Sequence, residues 1–140
     1  MLDFSSLSRA INALDESLDV VSRYLGNHGS TEAPEYRTFR AGVIQNFEIA
    51  YELSWKAMRT WLGENLGKTA IDGITRKELF RFAAESYLID DVKAWFNYHK
   101  FRNQTSHTYE ESIAKEVFEQ TPAFAKSTRQ LLNTLTSKND

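Results

Sequence analysis

Eight consecutive residues in the C-terminal half contain the side chains best suited to chemistry, and they read Arg102-Asn103-Gln104-Thr105-Ser106-His107-Thr108-Tyr109. An arginine can grip a phosphate with two parallel hydrogen bonds, and histidine side chains titrate near neutral pH. Together, Arg102 and His107 could hold a phosphodiester and move its proton. The two lie five positions apart, which on an unbroken α-helix separates them by about 500° and turns them about 140° away from each other. They can share a substrate only if the helix breaks between them, and the polar run Thr105-Ser106 favours such a break.

Arg102 is predicted to lie on the packed face of its helix. Successive spacings of three, four and three residues put four side chains on one face of this helix: Val92, Trp95, His99 and Arg102. A guanidinium on a packed face is costly unless a carboxylate, a phosphate or a subunit interface satisfies it. Glu48 and Glu52, one turn apart on an earlier helix, are the expected carboxylate partners.

The same residues also have a purely structural interpretation. In it, Arg102 forms a salt bridge inside a helical bundle, His107 helps to cap the next helix, and Tyr109 is an ordinary surface tyrosine. His99 is then a core histidine whose polar atoms are satisfied by neighbouring groups.

The elements that must position these residues are all predicted to be helices. Apolar residues recur at three-and-four spacing over most of the chain, and only two prolines and six glycines interrupt it. The predicted helices span about 4–25, 34–66, 75–87, 92 to the Thr105-Ser106 run, and 108–135. We therefore expect an all-α protein, an up-and-down four-helix bundle with an additional short helix.

Capping and helix-breaking residues locate several ends of these helices. Thr75 with Glu78, and Thr108 with Glu111, have the spacing of a capping box. Asp90 or Asp91 is expected to cap the fourth helix, and the segment 68–73 is expected to be a loop. Pro122 should kink or interrupt the last helix, with Thr121 capping a restart.

Composition limits the classes of protein to which the chain can belong. It has 140 residues, a formal net charge of −2 and no cysteine, which suits a single domain over residues 1–140 and excludes zinc fingers and thiolate chemistry. No two histidines have the i, i+4 spacing of a metal site, so His28 and His99 predict no metal, and no cofactor is expected. There is neither a leader pattern nor an apolar run of about 18 residues, and we expect a cytoplasmic protein with no membrane partner.

Two segments resemble known families. The run from Arg102 to Tyr109 resembles the R-x4-H-x-Y motif of HEPN domains at every defining position, including the polar residue after the arginine. The segment Phe47-Glu48-Ile49-Ala50-Tyr51-Glu52-Leu53-Ser54-Trp55-Lys56 is similar to helix two of the nucleotidyltransferase substrate-binding proteins, the helical partners of separately encoded minimal nucleotidyltransferases. This second likeness spans nearly the whole chain.

The resemblance implies a homodimer in which two motifs face each other, paired with a minimal nucleotidyltransferase in a two-component or toxin–antitoxin system. Many HEPN proteins are metal-independent endoribonucleases. By position, Arg102 would hold the scissile phosphate, His107 would act as acid or base, and Asn103 would orient them. Tyr109 matches the tyrosine that the partner adenylylates in some pairs, which silences the nuclease. Whether this chain is itself an enzyme stays open.

Two other functions stay open beside the nuclease. In one, the chain is a non-catalytic module that binds a nucleotide or acceptor substrate and presents it to the partner transferase. In the other, it is a structural dimer that positions the transferase. The chain lacks a glycine-serine turn with paired aspartates, so it is not expected to be a nucleotidyltransferase itself.

Overall fold

The computed structural model describes residues 2–139. In this range the helices are α1 (Ser5–Gly26), α2 (Pro34–Leu66), α3 (Lys68–Ile71), α4 (Arg76–Glu85), α5 (Val92–Gln104), a 3₁₀ helix (Thr105–His107) and α6 (Glu111–Ser137). No strand is present between residues 2 and 139. The all-α bundle predicted from the sequence is confirmed, with α4 as the additional short helix.

Contacts between helices establish their directions. Tyr24, near the end of α1, packs its ring 5.4 Å from that of Phe39, near the start of α2, and Asn46 Nδ2 donates to Ala13 O midway along both helices. The helices α1 and α2 are therefore antiparallel.

The last helix runs parallel to α2. Arg40, in the first part of α2, binds Glu111 at the start of α6, and the hydroxyls of Ser54 and Thr128 lie 2.6 Å apart further along both helices. This arrangement places the start of α6, and the turn before it, beside the first half of α2.

An aromatic cluster fills the centre of the bundle and links four helices. Phe47 and Phe124 pack perpendicularly with ring centroids 4.9 Å apart, and Phe80 lies 5.7 Å from Trp95. Tyr51 touches Phe80 and Phe124 and is fully buried. Because α4 and α5 pack on the same part of α2, polar groups at the rim of this cluster come together from three helices.

The starts of α4 and α5 follow the predicted capping chemistry. Thr75 Oγ1 accepts from Glu78 N, and Glu78 Oε1 accepts from Thr75 N, both at 3.1 Å, which completes the capping box. Asp91 Oδ1 accepts from Ala94 N at 3.0 Å and caps α5. The helix α4 ends two residues earlier than expected, and Tyr87 beyond it has a left-handed backbone with φ 63°.

The segment 68–73 is not wholly a loop, because it contains α3. Ile71 at the end of this short helix is 5% exposed, and its Cδ1 lies close to Gly63 of α2. Burial of this one apolar side chain explains why the segment folds back onto α2.

Of the two outcomes expected at Pro122, a kink or an interruption of the last helix, the interruption is wrong, because α6 runs unbroken from Glu111 to Ser137. Proline has no N–H, so Pro122 cannot donate to the carbonyl of Phe118, four residues earlier. The hydroxyl of Thr121 donates to that carbonyl instead, at 2.7 Å, and Thr121 is fully buried. Thr121 therefore does not cap a restarted helix but replaces the hydrogen bond that proline removes.

Candidate functional site at the Arg102–His107 turn

Arg102 occupies the last turn of α5 and is held from two sides. Its Nε lies 3.2 Å from Glu52 Oε1 on α2, and its Nη1 donates to Thr105 Oγ1 at 3.3 Å. Nε makes no hydrogen bond of acceptable geometry within the described chain, so Glu52 holds Arg102 through opposite charge at close range and not through a directed hydrogen bond. The Arg102 side chain is 31% exposed, so its guanidinium is anchored yet reachable from solvent.

The helix breaks where the sequence predicts it. The α-helical part of α5 ends at Gln104, and Thr105–His107 form a 3₁₀ turn. Thr105 is buried, and its hydroxyl donates to the carbonyl of Arg102 at 2.7 Å, which satisfies an acceptor at the helix end.

The predicted capping box at Thr108 and Glu111 does not form. Thr108 Oγ1 donates to Thr105 O at 3.2 Å, and the residue at the N-cap of α6 is Glu110, whose side chain makes no capping hydrogen bond. Glu111 instead binds Arg40 through both carboxylate oxygens, at 2.6 and 2.7 Å. Both members of the expected box therefore have other partners.

His107 and Tyr109 project from this turn into solvent. Their rings lie edge to face with centroids 6.1 Å apart, and Tyr109 is 79% exposed. His107 O accepts from Glu110 N at 3.0 Å, which fixes the backbone of the turn. Within residues 2–139 no hydrogen bond or ion pair joins His107 to Arg102, so the turn places the two side chains on one end of the bundle without direct contact.

A hydrogen-bonded chain runs from the core to the residue after Arg102. His99 Nδ1 lies 2.7 Å from the hydroxyl of Tyr51, and His99 Nε2 lies 3.5 Å from Asn103 Nδ2. Burial, reinforced by the positive charge of Arg76, lowers the pKa of His99, although Glu52 opposes this shift. Burial also raises the pKa of Tyr51 to about 12. Both groups therefore stay neutral near pH 7.

Glu52 connects this series of hydrogen bonds to a cation, Arg76, that stacks on the ring of Trp55. Its Oε2 accepts from Trp55 Nε1 at 3.0 Å while Oε1 faces Arg102. The guanidinium of Arg76 lies 3.5 Å above the centroid of the Trp55 ring, and its Nη1 reaches the hydroxyl of Tyr51 at 3.4 Å. The site is thus a continuous polar cluster on the rim of the aromatic core.

Glu48, the other carboxylate considered for Arg102, lies in a separate groove. This groove, of about 370 Å³, separates α2 from the start of α6 and is also lined by Tyr109 and Arg37. Arg40 is 7% exposed at its base, and its hydrogen bonds with Glu111 raise the pKa of Arg40 and lower that of Glu111.

In the part of the chain that the structure describes, no group of three or more His, Asp or Glu residues is arranged to hold a metal ion. No helix there is long and apolar enough to cross a membrane.

Comparison with known proteins identifies the family. Residues 2–137 match the sequence profile of the family described as "Nucleotidyltransferase substrate binding protein like". The chain belongs to this family. The resemblance seen in the segment Phe47–Lys56 therefore reflects membership that extends over almost the whole chain.

Relatives of this chain carry two kinds of description. "Probable ribonuclease HepT" of Haemophilus influenzae is 38% identical over 103 residues, which are 73% of this chain and 70% of the relative. A solved Haemophilus influenzae structure, described as the fold of a substrate binding domain of a nucleotidyltransferase, has a TM-score of 0.86 and 31% identity, covering 96% of this chain and 99% of that one. A structure from Thermus thermophilus has a TM-score of 0.64 and 27% identity, covering 87% and 98%.

Sequence reasoning missed three members of the polar clusters in this family member. In the sequence, Tyr51 lies four residues after Phe47 and four before Trp55 on an apolar stripe, and Arg76 is one of several basic residues scattered along the chain, so neither pattern indicates a polar cluster. Arg40 lies four residues before Ile44 on the same stripe, so the argument that placed Arg102 on a packed face could also have singled it out.

Proposed function

We propose that this chain is the helical subunit of a two-component nucleotidyltransferase system and that Arg102 and His107 form a metal-independent endoribonuclease site. One observation carries the proposal: the 3₁₀ turn after α5 leaves an exposed imidazole five residues beyond a guanidinium that Glu52 and Thr105 hold in place. The ribonuclease description of the Haemophilus influenzae relative supports the same activity.

Arg102 is proposed to bind the scissile phosphate. Glu52 faces Nε and Thr105 accepts from Nη1, while Nη2 has no hydrogen-bond partner in residues 2–139 and is available to a ligand. Because a guanidinium is planar, fixing one edge also fixes the direction of the remaining donors. Asn103, exposed on the next position of α5, supplies a second polar group beside the phosphate.

His107 is proposed to transfer the proton. The ribose 2′-hydroxyl attacks phosphorus, the bond from phosphorus to the 5′-oxygen breaks, and the products carry a 2′,3′-cyclic phosphate and a 5′-hydroxyl. His107 either removes the proton of the 2′-hydroxyl or gives one to the departing 5′-oxygen. When His107 acts as the base, water protonates the departing 5′-oxygen; when it acts as the acid, water accepts the proton of the 2′-hydroxyl.

The active form is proposed to be a homodimer in which two such turns face each other. His107 and Tyr109 are exposed at one end of the bundle, so a second copy can bring its own imidazole to the same phosphate. One histidine could then act as base and the other as acid.

Tyr109 is proposed to be the target of the partner nucleotidyltransferase. Its hydroxyl would attack the α-phosphorus of ATP, forming a tyrosine–AMP phosphodiester and releasing pyrophosphate. The side chain is 79% exposed and its ring lies against that of His107, so the adduct would place a bulky anion beside the site. An anion there would repel the RNA backbone, which gives the modification its silencing effect.

A second function uses the same residues without cleavage. The structural relative is described as a substrate binding domain of a nucleotidyltransferase, which favours a module that binds a nucleotide through Arg102 and presents it to the partner. Such a module would bind phosphate-bearing ligands but leave RNA intact.

Cleavage of end-labelled RNA in EDTA separates the two functions. The nuclease proposal predicts fragments with 2′,3′-cyclic phosphate and 5′-hydroxyl ends, and much less product from Arg102→Lys, which keeps the charge but loses the planar fork. Intact RNA that nevertheless binds to the protein would favour the substrate-binding module.

A further inference from the structure

Tyr51 is a buried tyrosine whose packing does not require a hydroxyl. Its ring lies among Phe47, Phe80 and Phe124 with no exposed surface, and a phenylalanine would fill this space equally well. The hydroxyl emerges from the core at His99, 2.7 Å from Nδ1. The ring of Tyr51 therefore packs in the core, while its oxygen forms hydrogen bonds in the polar cluster of the site.

The neighbours of this hydroxyl decide which way its hydrogen bonds run. A guanidinium can only donate, so Arg76 Nη1, 3.4 Å away, uses an acceptor lone pair of the Tyr51 oxygen. The tyrosine hydrogen is then free to be donated to His99 Nδ1. With Nδ1 acting as an acceptor, the proton of the neutral imidazole resides on Nε2.

This tautomer determines the orientation of Asn103. A protonated Nε2 needs an acceptor, and the amide of Asn103 lies 3.5 Å from it on the next turn of α5. Rotating the amide by 180° exchanges its oxygen and nitrogen at nearly the same positions. With Oδ1 turned toward His99, the NH₂ group faces away from the imidazole and is free to donate to a ligand.

We infer that Tyr51 is a positioning residue of the site: through His99 it orients the amide of Asn103 so that the NH₂ group, beside Arg102, donates to a bound phosphate. This inference rests on the proposed function, because the phosphate is that of the RNA to be cleaved. It adds a buried residue of α2 to a site otherwise formed by α5 and the turn after it.

Tyr98 provides a matched control. It is also buried, at 4% exposed, and its hydroxyl lies 2.7 Å from Ser127 Oγ, away from His99. Tyr51→Phe and Tyr98→Phe each remove one oxygen atom from the same aromatic core. The first removes the hydrogen bonds with His99 and Arg76, and the second removes the hydrogen bond with Ser127. A merely structural role for the Tyr51 hydroxyl predicts that the two variants behave alike.

The tautomer of His99 is measured by two-bond ¹H–¹⁵N correlation spectra of the full-length protein. The chain has only three histidines, and His28→Asn and His107→Gln identify the other two signals. We expect neutral His99 to carry its proton on Nε2 in the wild type and in Tyr98→Phe, and to become a mixture of tautomers in Tyr51→Phe. A proton on Nδ1 in the wild type, or an unchanged tautomer in Tyr51→Phe, would overturn the inference.

RNA cleavage then tests whether this orientation matters. We expect Tyr51→Phe to lower kcat by about fivefold or more, the effect of one weakened hydrogen bond in the transition state, with KM within about twofold. Tyr98→Phe should change neither. Equal kcat values for the two variants would show that Tyr51 is structural only.

Failure of the proposed nuclease would be recognised separately, because the wild type would then not cut RNA. In that case the probe is a fully 2′-O-methylated RNA oligonucleotide, and the signal is the side-chain NH₂ resonance of Asn103. A shift on titration that is present in the wild type and Tyr98→Phe but lost in Tyr51→Phe would support the positioning role at a binding site. No shift in the wild type would overturn it.

Discussion

Glu52 of α2 and Arg102 of α5 form an inter-helix ion pair in which Glu52 Oε1 lies 3.2 Å from Arg102 Nε. Their side chains are 34% and 31% exposed, so solvent screens the pair and its contribution to stability is small. The pair instead positions the guanidinium of Arg102. Trp55 Nε1 donates to the other oxygen of Glu52 and so fixes the carboxylate that faces the guanidinium.

Removing this carboxylate should therefore affect function more than stability. We expect Glu52→Gln to change the free energy of unfolding by less than about 1 kcal/mol and to slow RNA cleavage by about tenfold or more, because Arg102 loses the negative charge that holds it. Urea unfolding and single-turnover cleavage measure the two effects. The control is Asp15→Asn, which breaks the similarly exposed Asp15–Arg129 pair, 2.6 Å long and distant in sequence from the turn. Equal cleavage by both variants would contradict the assigned role of Glu52.

Because of the Arg40–Glu111 pair, we expect part of the free energy of unfolding to depend on pH. Hydrogen bonds from Arg40 lower the pKa of Glu111 below its ordinary value of 4.5 in the folded state. A carboxylate whose pKa is lowered by folding contributes its full stabilisation when the pH lies above its pKa in the unfolded chain. This stabilisation disappears as the pH falls through its pKa in the folded protein. Wild type should therefore be more stable than Glu111→Gln at about pH 7, and the difference should shrink below about pH 4.5. Urea unfolding over this range checks it, and a difference that does not change with pH would rule it out.

The hydroxyl of Thr121 is predicted to compensate for Pro122. Thr121→Val keeps the shape of the side chain but removes the donor to Phe118 O, and we expect it to cost about 1–3 kcal/mol of stability. In a Pro122→Ala background the alanine N–H can donate to that carbonyl, so the same substitution should cost less. A double-mutant cycle by urea unfolding measures this coupling. Additive effects of the two substitutions would mean that Thr121 does not replace the missing N–H.

Adenylylation tests the proposed partner and the role of Tyr109 together. The protein would be co-purified with the minimal nucleotidyltransferase proposed as its partner and treated with ATP. Intact-mass analysis should show a gain of whole AMP units that is absent in Tyr109→Phe. Tyr87→Phe is the matched control, because Tyr87 is 82% exposed but lies in the turn after α4. A stable complex with no gain in mass would favour the substrate-binding module.

Much of the fold could be predicted because local signals agree with tertiary packing. The bounds of α2 were predicted to the residue, since Pro34 suits a first helical turn and Gly67 has φ 95°, which an L-residue rarely adopts. Thr75 identified the start of one further helix, and the pair Asp90-Asp91, of which Asp91 is the cap, identified the start of another. Each of these features depends on residues close together in the sequence.

The errors arose where a distant or unusual partner decides the structure. Thr108 has the spacing of a cap, but its hydroxyl and the Glu111 carboxylate bind Thr105 and Arg40 instead. Pro122 is tolerated because one hydroxyl replaces its missing donor. The sequence also places Tyr51 on an apolar stripe, which gives no sign that its oxygen reaches His99 on another helix.

RNA cleavage by the purified protein in EDTA tests the proposed site most directly, with His107→Ala compared against His28→Asn. His28 lies in the loop after α1 with φ 66°, a conformation that asparagine tolerates, so its replacement should preserve both fold and activity. We predict that wild type and His28→Asn cut RNA at equal rates, and that His107→Ala retains its helical circular dichroism but loses cleavage. Cleavage by His107→Ala at the wild-type rate would contradict the assignment of His107, and absence of cleavage by the wild type would contradict the nuclease itself.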